Sequence, residues 1–262
     1  MQSVKTAAVI THGHDGVDDA LERLRRVAEG AGVELYEDVD DRTPDIAIVL
    51  GGDGTMLRAL TRFLGTGVPV IGVNYGRVGF LTAIKAAELE AGIGRVFAGE
   101  YREIELVTVE VTVGDTRAVA VNDVVIAGGT LGRMVELSYA IGGEDLGVQP
   151  CDGLICATPG GSTAYNLSNG GPVLVWGIDA MVLTFVAPHT LHIRPLVVPR
   201  GVHVDVTNLT PGMEATVLVD GHRVSGLATG EAATVKIAEA HSVLATLPEV
   251  TFFSRYAAVF GR

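Results

Sequence analysis

The hydrophobic period of this chain changes once, near residues 99–104, and that change limits the fold more than any single motif does. Before it, Ala7–Ile10, Val33–Tyr36, Ile46–Leu50 and Val68–Val73 are apolar runs of strand length. Between them the spacing predicts helices over Val17–Glu29, Thr55–Leu64 and Lys85–Ala98, the first with Leu21, Leu24, Val27 and Ala28 on one side. Gly92 and Gly94 weaken the third. Strands that alternate with helices imply a parallel sheet covered on both faces. After the change, Glu105–Val113 alternates with period two, Gly114-Asp115 turns, and Arg117–Ala127 continues, which predicts a hairpin. Met134–Ile141, Met181–Ala187, Val202–Val206, Ala215–Val219 and Thr234–Ile237 are expected as further strands, with one short helix near Thr163–Asn169. The expected fold is an N-terminal open parallel α/β, Rossmann-like domain over 1–103, then a mainly antiparallel, sandwich-like β domain over 104–242. The segment 243–262 is expected to pack back on the first domain.

Composition narrows the function. Of 262 residues 48% are apolar but only 5% aromatic, so a large core must be built from Val, Leu, Ile and Ala. No apolar run approaches the roughly 20 residues that span a bilayer. The N-terminus lacks the basic region, long apolar stretch and cleavage site of a signal peptide. A cytoplasmic protein with no membrane partner is expected. The 31 acidic and 19 basic residues give a net charge of −12. General electrostatics therefore exclude nucleic-acid binding, and an anionic substrate must meet local donors or metal ions. Cys151 and Cys156 form an isolated C-x₄-C pair, a poor zinc site and a poor disulfide framework, and are expected to be small buried residues. His12 and His14 are read as part of a solvated turn after the first strand.

Two segments carry chemistry. Gly51-Gly52-Asp53-Gly54-Thr55 follows the apolar run Ile46–Leu50 and opens a helix. Ligands of open α/β sheets collect at the carboxyl ends of strands. Glycines there let backbone amides approach phosphate oxygens, and a helix N-terminus favours anions. Asp53 would project as an acceptor able to take or orient a hydroxyl proton. The alternative is a tight turn with Asp53 as a helix cap. It is not a P-loop, because the Gly-Lys-Ser/Thr ending is absent. The second segment runs from Asp152 to Pro172 and gathers Thr158, Gly160, Gly161, Ser162, Thr163, Tyr165 and Ser168 where the β pattern breaks. Its amides and hydroxyls suit a polar ligand, and Tyr165 offers a flat face to a heteroaromatic ring.

Together the two segments resemble the NAD kinase family. Asn74-Tyr-Gly76-Arg-Val-Gly79-Phe80-Leu81 is similar to the family's N-x-G-x-x-G-F-L loop, and Asn122-Asp123 stands where the family has Asn-Glu. Pro188-His189, Arg194-Pro195-Leu196 and Asp220-Gly221-His222 agree as well, so the resemblance covers nearly the whole chain. It implies transfer of a phosphoryl group from ATP or polyphosphate, with Mg²⁺, to the 2′-hydroxyl of the adenosine ribose of NAD. Asp53 is implied as general base or hydroxyl-orienting group, and Gly51, Gly52, Gly54 and Thr55 as the donor loop. Gly54, Asn122, Asp123, Asp152, Thr163, Ala164, Tyr165, Ser168 and His222 are implied as the NAD site, with no protein metal ligand assigned. Asp152 is implied to reach NAD held largely by a neighbouring subunit, hence a homodimer or homotetramer. Asp123 is one methylene shorter than the usual Glu. The rival readings are a lipid kinase of the diacylglycerol or sphingosine type, which shares the Gly-Gly-Asp-Gly-Thr loop but not the Thr158–Ser168 block, and a non-catalytic NAD(P) sensor.

Acidity with only three lysines, Lys5, Lys85 and Lys236, also resembles proteins of salt-rich cytoplasms, and points to an archaeal or halophilic type. Salt screens the repulsion among carboxylates. Molar KCl is therefore expected to preserve folding and turnover; full activity in dilute buffer with inactivation in molar KCl contradicts this.

Overall fold

The computed structural model describes residues 3–11, 16–36, 42–76, 79–129, 133–190 and 192–261. The turn containing His12 and His14 lies outside them. The chain divides into two compact units, Met1–Glu105 with His241–Arg262, and Leu106–Ala240.

The first unit is built on a seven-stranded sheet in the order Glu34–Tyr36, Thr6–Thr11, Ile46–Gly51, Pro69–Asn74, Ser242–Thr246 and Arg102–Leu106, with Ile84–Lys85 also paired to Pro69–Asn74. The pairs from Glu34–Tyr36 through Ser242–Thr246 are parallel. Ile46–Leu50 is wholly buried, which is why it reads as an unbroken apolar run. Helix Val17–Ala31 presses Ala20, Leu24 and Ala28 into the core at four-residue spacing, with Leu21 and Val27 partly buried beside them. The helix after Ile46–Gly51 starts at Asp53, two residues earlier than its apolar spacing suggests. The predicted helix over Lys85–Ala98 shortens to a 3₁₀ turn, Ala86–Glu88, followed by Leu89–Phe97. Gly92 is required there, since a Cβ would meet Ile84.

The second unit is a sandwich of two six-stranded sheets, antiparallel in every pair. One sheet runs Glu144–Cys151, Val135–Ile141, Val204–Asn208, Ala232–Ile237, Val109–Val113, Thr116–Ala120; the other runs Leu196–Pro199, Ala180–Val186, Gly153–Ala157, Asp123–Gly128, Ala215–Val219, His222–Leu227. Alternate residues of both, such as Val111, Ile126, Leu137, Cys156, Leu183 and Val235, share one aliphatic core. An α/β unit and an antiparallel β unit bear out the expected fold class.

Two departures from the alternation have a physical cause. The predicted continuous strand Glu105–Val113 breaks at Val107-Thr108, where the chain passes from one unit to the other. Arg117–Ala127 breaks at Val121-Asn122, where it leaves one sheet of the sandwich for the other. A side chain's alternation survives such a crossing, so periodicity alone does not reveal it.

Candidate active site

In the first unit the Gly51–Thr55 turn is shaped by close packing. Thr55 is buried, and a Cβ on Gly51 would lie 2.6 Å from its Oγ1. Gly52 is the extended N-cap of the ten-residue helix, and no side chain among the described residues caps it. The Thr55 amide turns back onto Gly52 O at 3.0 Å, and the remaining amides of the turn lie at a helix N-terminus without a side-chain cap, the arrangement that suits a phosphate.

Asp53 does not act as the cap. Its Oδ2 accepts from the Phe80 amide at 2.7 Å and its Oδ1 from the Leu81 amide at 3.1 Å. Both donors belong to the loop that follows Pro69–Asn74, whose start is tightened by Asn74 Oδ1 accepting from the Gly76 amide at 2.8 Å. Gly79 precedes them, and a Cβ there would overlap the Asp53 carboxyl group. Each carboxylate oxygen keeps a second lone pair, so Asp53 can still accept a substrate hydroxyl while its direction is fixed by the main chain. Arg77 and Val78 of this loop lie outside the described residues.

In the second unit, three segments meet at one end of a sheet: the start of Asp123–Gly128, the end of Gly153–Ala157, and the turn joining Ala215–Val219 to His222–Leu227. That turn is the two-residue loop Asp220-Gly221, both at positive φ (48° and 80°), as a type I′ hairpin requires. The Asp220 carboxylate accepts from three consecutive amides, Val121, Asn122 and Asp123, at 2.9, 2.8 and 3.1 Å. Thr158 holds the same segment from the other side: its amide donates to Asn122 O at 2.8 Å and its hydroxyl to Val121 O at 2.7 Å. Gly161 packs so closely on Asn122 O that no side chain fits. The crossing at Val121-Asn122 is therefore a rigid platform. On it Asn122 Oδ1 is a buried acceptor with no hydrogen-bond partner among the described residues. Asp123 is buried, and burial, aided by the Asp220 charge, pushes its carboxyl up to about 7.

The Thr158–Ser168 block divides into latches and exposed groups. Ser162 donates to Pro159 O at 2.7 Å and accepts from the Leu174 amide at 2.9 Å. Asn166 donates to Ser162 O and Pro172 O and accepts from Thr184 Oγ1. Both are fully buried and structural. Thr163 and Ala164 are half-buried, whereas Tyr165 and Ser168 are exposed. His222 is exposed, with Nδ1 3.1 Å from Asp220 O. Asp152 stands apart: it precedes Gly153–Ala157 while Thr158 follows it, so the strand separates the two by about 20 Å. One subunit thus gathers Asn122, Asp123, Thr158 and His222 but not Asp152. The clamp residues Asp220, Thr158 and Asn166 were not singled out by role in the sequence; the Asp-Gly hairpin signal was the available clue to the first. Cys151 and Cys156 are buried free thiols pushed up to about 12 by burial, hence unreactive. Among the described residues, no group of three or more His, Cys, Asp or Glu is placed to hold a metal ion, and no helix is long and apolar enough to cross a membrane.

A phosphate-type glycine turn with an aimed carboxylate on a parallel α/β unit, and a clamped polar platform on a β-sandwich unit, define a two-domain phosphotransferase plan. Residues 5–101 match the ATP-NAD kinase N-terminal domain and residues 121–247 the ATP-NAD kinase C-terminal domain. The chain belongs to the NAD kinase family. It is 40% identical to an NAD kinase of Gemmatimonas aurantiaca over 89% of this chain and 82% of that one. Its structure is similar to that of an NAD kinase from Archaeoglobus fulgidus in complex with ATP, at 25% identity and a TM-score of 0.78, covering 98% of this chain and 97% of that one. It shares its fold with a yeast NADH kinase complexed with NADH, at 21% identity and a TM-score of 0.84, covering 100% of this chain and 89% of that one.

Asp123 generates a prediction about stability. Its folded value of about 7 lies above the ordinary 3.8. Between those values the folded chain holds a proton that the unfolded chain has released, so its contribution to stability falls as pH rises from about 4 to about 7, then levels off. Urea unfolding across this window is expected to show a wild-type decline, relative to Asp123→Asn, that is absent when both are compared above pH 8.

Proposed function

We propose that the NAD kinase activity of this chain is an in-line transfer of the terminal phosphoryl group of ATP to the 2′-hydroxyl of the adenosine ribose of NAD. Asp53 orients that hydroxyl and accepts its proton as the bond to phosphorus forms. The single observation behind this role is the pair of bonds from the Phe80 and Leu81 amides, which aim the carboxylate and leave it acceptor capacity. The amides of Gly52 and Gly54 at the N-terminus of helix Asp53–Arg62 meet the donor phosphates, while Thr55 closes the turn through its amide on Gly52 O, with Gly51 leaving room for its side chain.

On the second unit Asn122 and Asp123 bind the ribose. The buried Asn122 Oδ1 supports this, since a hydroxyl donor would satisfy it. Asp123, near its midpoint at neutral pH, can donate as the acid or accept as the carboxylate. Thr163, Ala164, Tyr165 and Ser168 line the remaining NAD surface, Tyr165 stacking on a ring, and His222 lies near the phosphates. A divalent cation such as Mg²⁺ fits as an ion carried by donor phosphates and water rather than by a protein cage, given the absence of an acidic cluster among the described residues. When bound, it neutralises phosphate charge.

Asp152 serves a neighbouring subunit's NAD in a homodimer or homotetramer. Two features support self-association: the strand that holds Asp152 away from Asn122, and the exposed apolar residues Leu146, Val148, Leu196 and Val197 on the edge strands Glu144–Cys151 and Leu196–Pro199. The protein works in the cytoplasm.

Asp53→Ala is expected to lower kcat by roughly 10²–10⁴-fold while NAD binding, read by calorimetry, stays within a few-fold. Asp53→Asn separates proton acceptance from hydrogen bonding. Near-normal turnover of Asp53→Ala sinks the assignment. In the same assay polyphosphate replaces ATP to test the donor, and liposomal diacylglycerol replaces NAD to test the lipid kinase reading.

A further inference from the structure

The helix Phe252–Phe260 belongs to the unit that carries Asp53. Its start is fixed by a capping box, in which Ser254 N donates to Thr251 Oγ1 at 3.1 Å and Thr251 N to Ser254 Oγ at 2.9 Å. From this helix the rings of Phe252 and Phe260 pack on Phe80, with centroids 5.9 and 5.6 Å apart. Arg255 extends from the same turn, 6% exposed, and its Nη1 donates to the Thr82 carbonyl.

Phe80, Leu81 and Thr82 are consecutive. The first two supply the amides that aim Asp53, and the third supplies the carbonyl that Arg255 holds. A cavity of about 380 Å³ borders Gly79, Thr82, Ser254 and Arg255, so this side of the loop is not filled by packed side chains. The guanidinium bond and the two ring contacts tie the loop to the helix. A buried guanidinium is costly unless its charge is matched. Asp53 supplies part of that match: its charge opposes the fall to about 10 that burial imposes on Arg255.

We propose that Arg255 is a positioning residue for phosphoryl transfer, which, through the Thr82 carbonyl, fixes the loop whose amides aim the Asp53 carboxylate. The proposal rests on the reading of Asp53 as the hydroxyl-orienting group. It makes the C-terminal helix part of the catalytic apparatus although no atom of it need touch substrate. Misaiming a reacting group by about an ångström costs on the order of a hundred-fold in rate without weakening binding.

The test is a double-mutant cycle of Asp53→Asn and Arg255→Met, with kcat, KM for NAD, calorimetric NAD binding and the unfolding midpoint measured for each. Arg255→Met is expected to lose roughly ten-fold or more in kcat, with KM and NAD affinity within about two-fold, and Arg255→Lys to recover part of the loss. In the Asp53→Asn background the same change is expected to cost less than about two-fold, because the aim of the lost carboxylate no longer matters. Arg255→Met at wild-type kcat, a loss confined to KM, or a full additional loss on Asp53→Asn overturns the proposal. Wild-type turnover of Asp53→Ala would instead overturn the Asp53 reading itself, and the proposal with it. Should Arg255→Met fail to fold, Phe260→Ala, which removes a partly exposed ring from Phe80, takes its place with the same expected split between kcat and KM.

Discussion

A carboxylate that accepts from two successive backbone amides takes its direction from the main chain rather than from its own rotamer. Asp53 is held in this way by Phe80 and Leu81. The parallel sheet brings the turn after Ile46–Gly51 and the loop after Pro69–Asn74 together, because the two strands are hydrogen-bonded neighbours with Gly51 opposite Asn74. The absence of a side chain at Gly79 lets the loop close on the carboxyl group. Without these features Asp53 would be an ordinary residue in the first turn of a helix, well placed electrostatically but unaimed.

The second unit uses the same device in reverse. There a side-chain carboxylate, Asp220, organises the main chain, gathering the amides of Val121, Asn122 and Asp123 from a type I′ turn. Those residues sit where the chain leaves one sheet of the sandwich for the other. Such a crossing would otherwise leave main-chain groups unpaired: Asp220 accepts from the amides, and Thr158 donates to the carbonyls of Val121 and Asn122. Rigidity at this point sets a buried amide oxygen and a carboxyl of raised proton affinity at fixed positions on a stiff scaffold. A chain of net charge −12 with few lysines has little general attraction for anionic nucleotides. Fixed dipoles, helix termini and aimed side chains must then do what a basic pocket does elsewhere.

Much of this was legible in the sequence, and what was missed has identifiable reasons. The apolar run Ile46–Leu50, the glycine turn after it and the alternating second half place both units, because burial on one face or both leaves a period that can be counted. Asp53 was legible as a candidate site residue. Its partners were not, since amides of Phe80 and Leu81 carry no side-chain signature. The breaks at Val107-Thr108 and Val121-Asn122 were invisible because alternation continues through a crossing. Ser162 reads as a ligand group in the sequence, yet it and Asn166 spend their hydrogen bonds on holding the Gly161–Pro172 segment in shape. Arg255 gave no signal at all, because its meaning depends on a contact with Thr82 that is remote in sequence.

The central claim, that main-chain amides aim the Asp53 carboxylate, is tested most directly by Gly79→Ala. The added methyl group would overlap the carboxyl group while deleting no functional group. The measurement is kcat beside the calorimetric dissociation constant for NAD. The account predicts a folded protein that binds NAD within a few-fold of wild type and turns over on the order of a hundred-fold more slowly. A Gly79→Ala protein with wild-type kcat would contradict it.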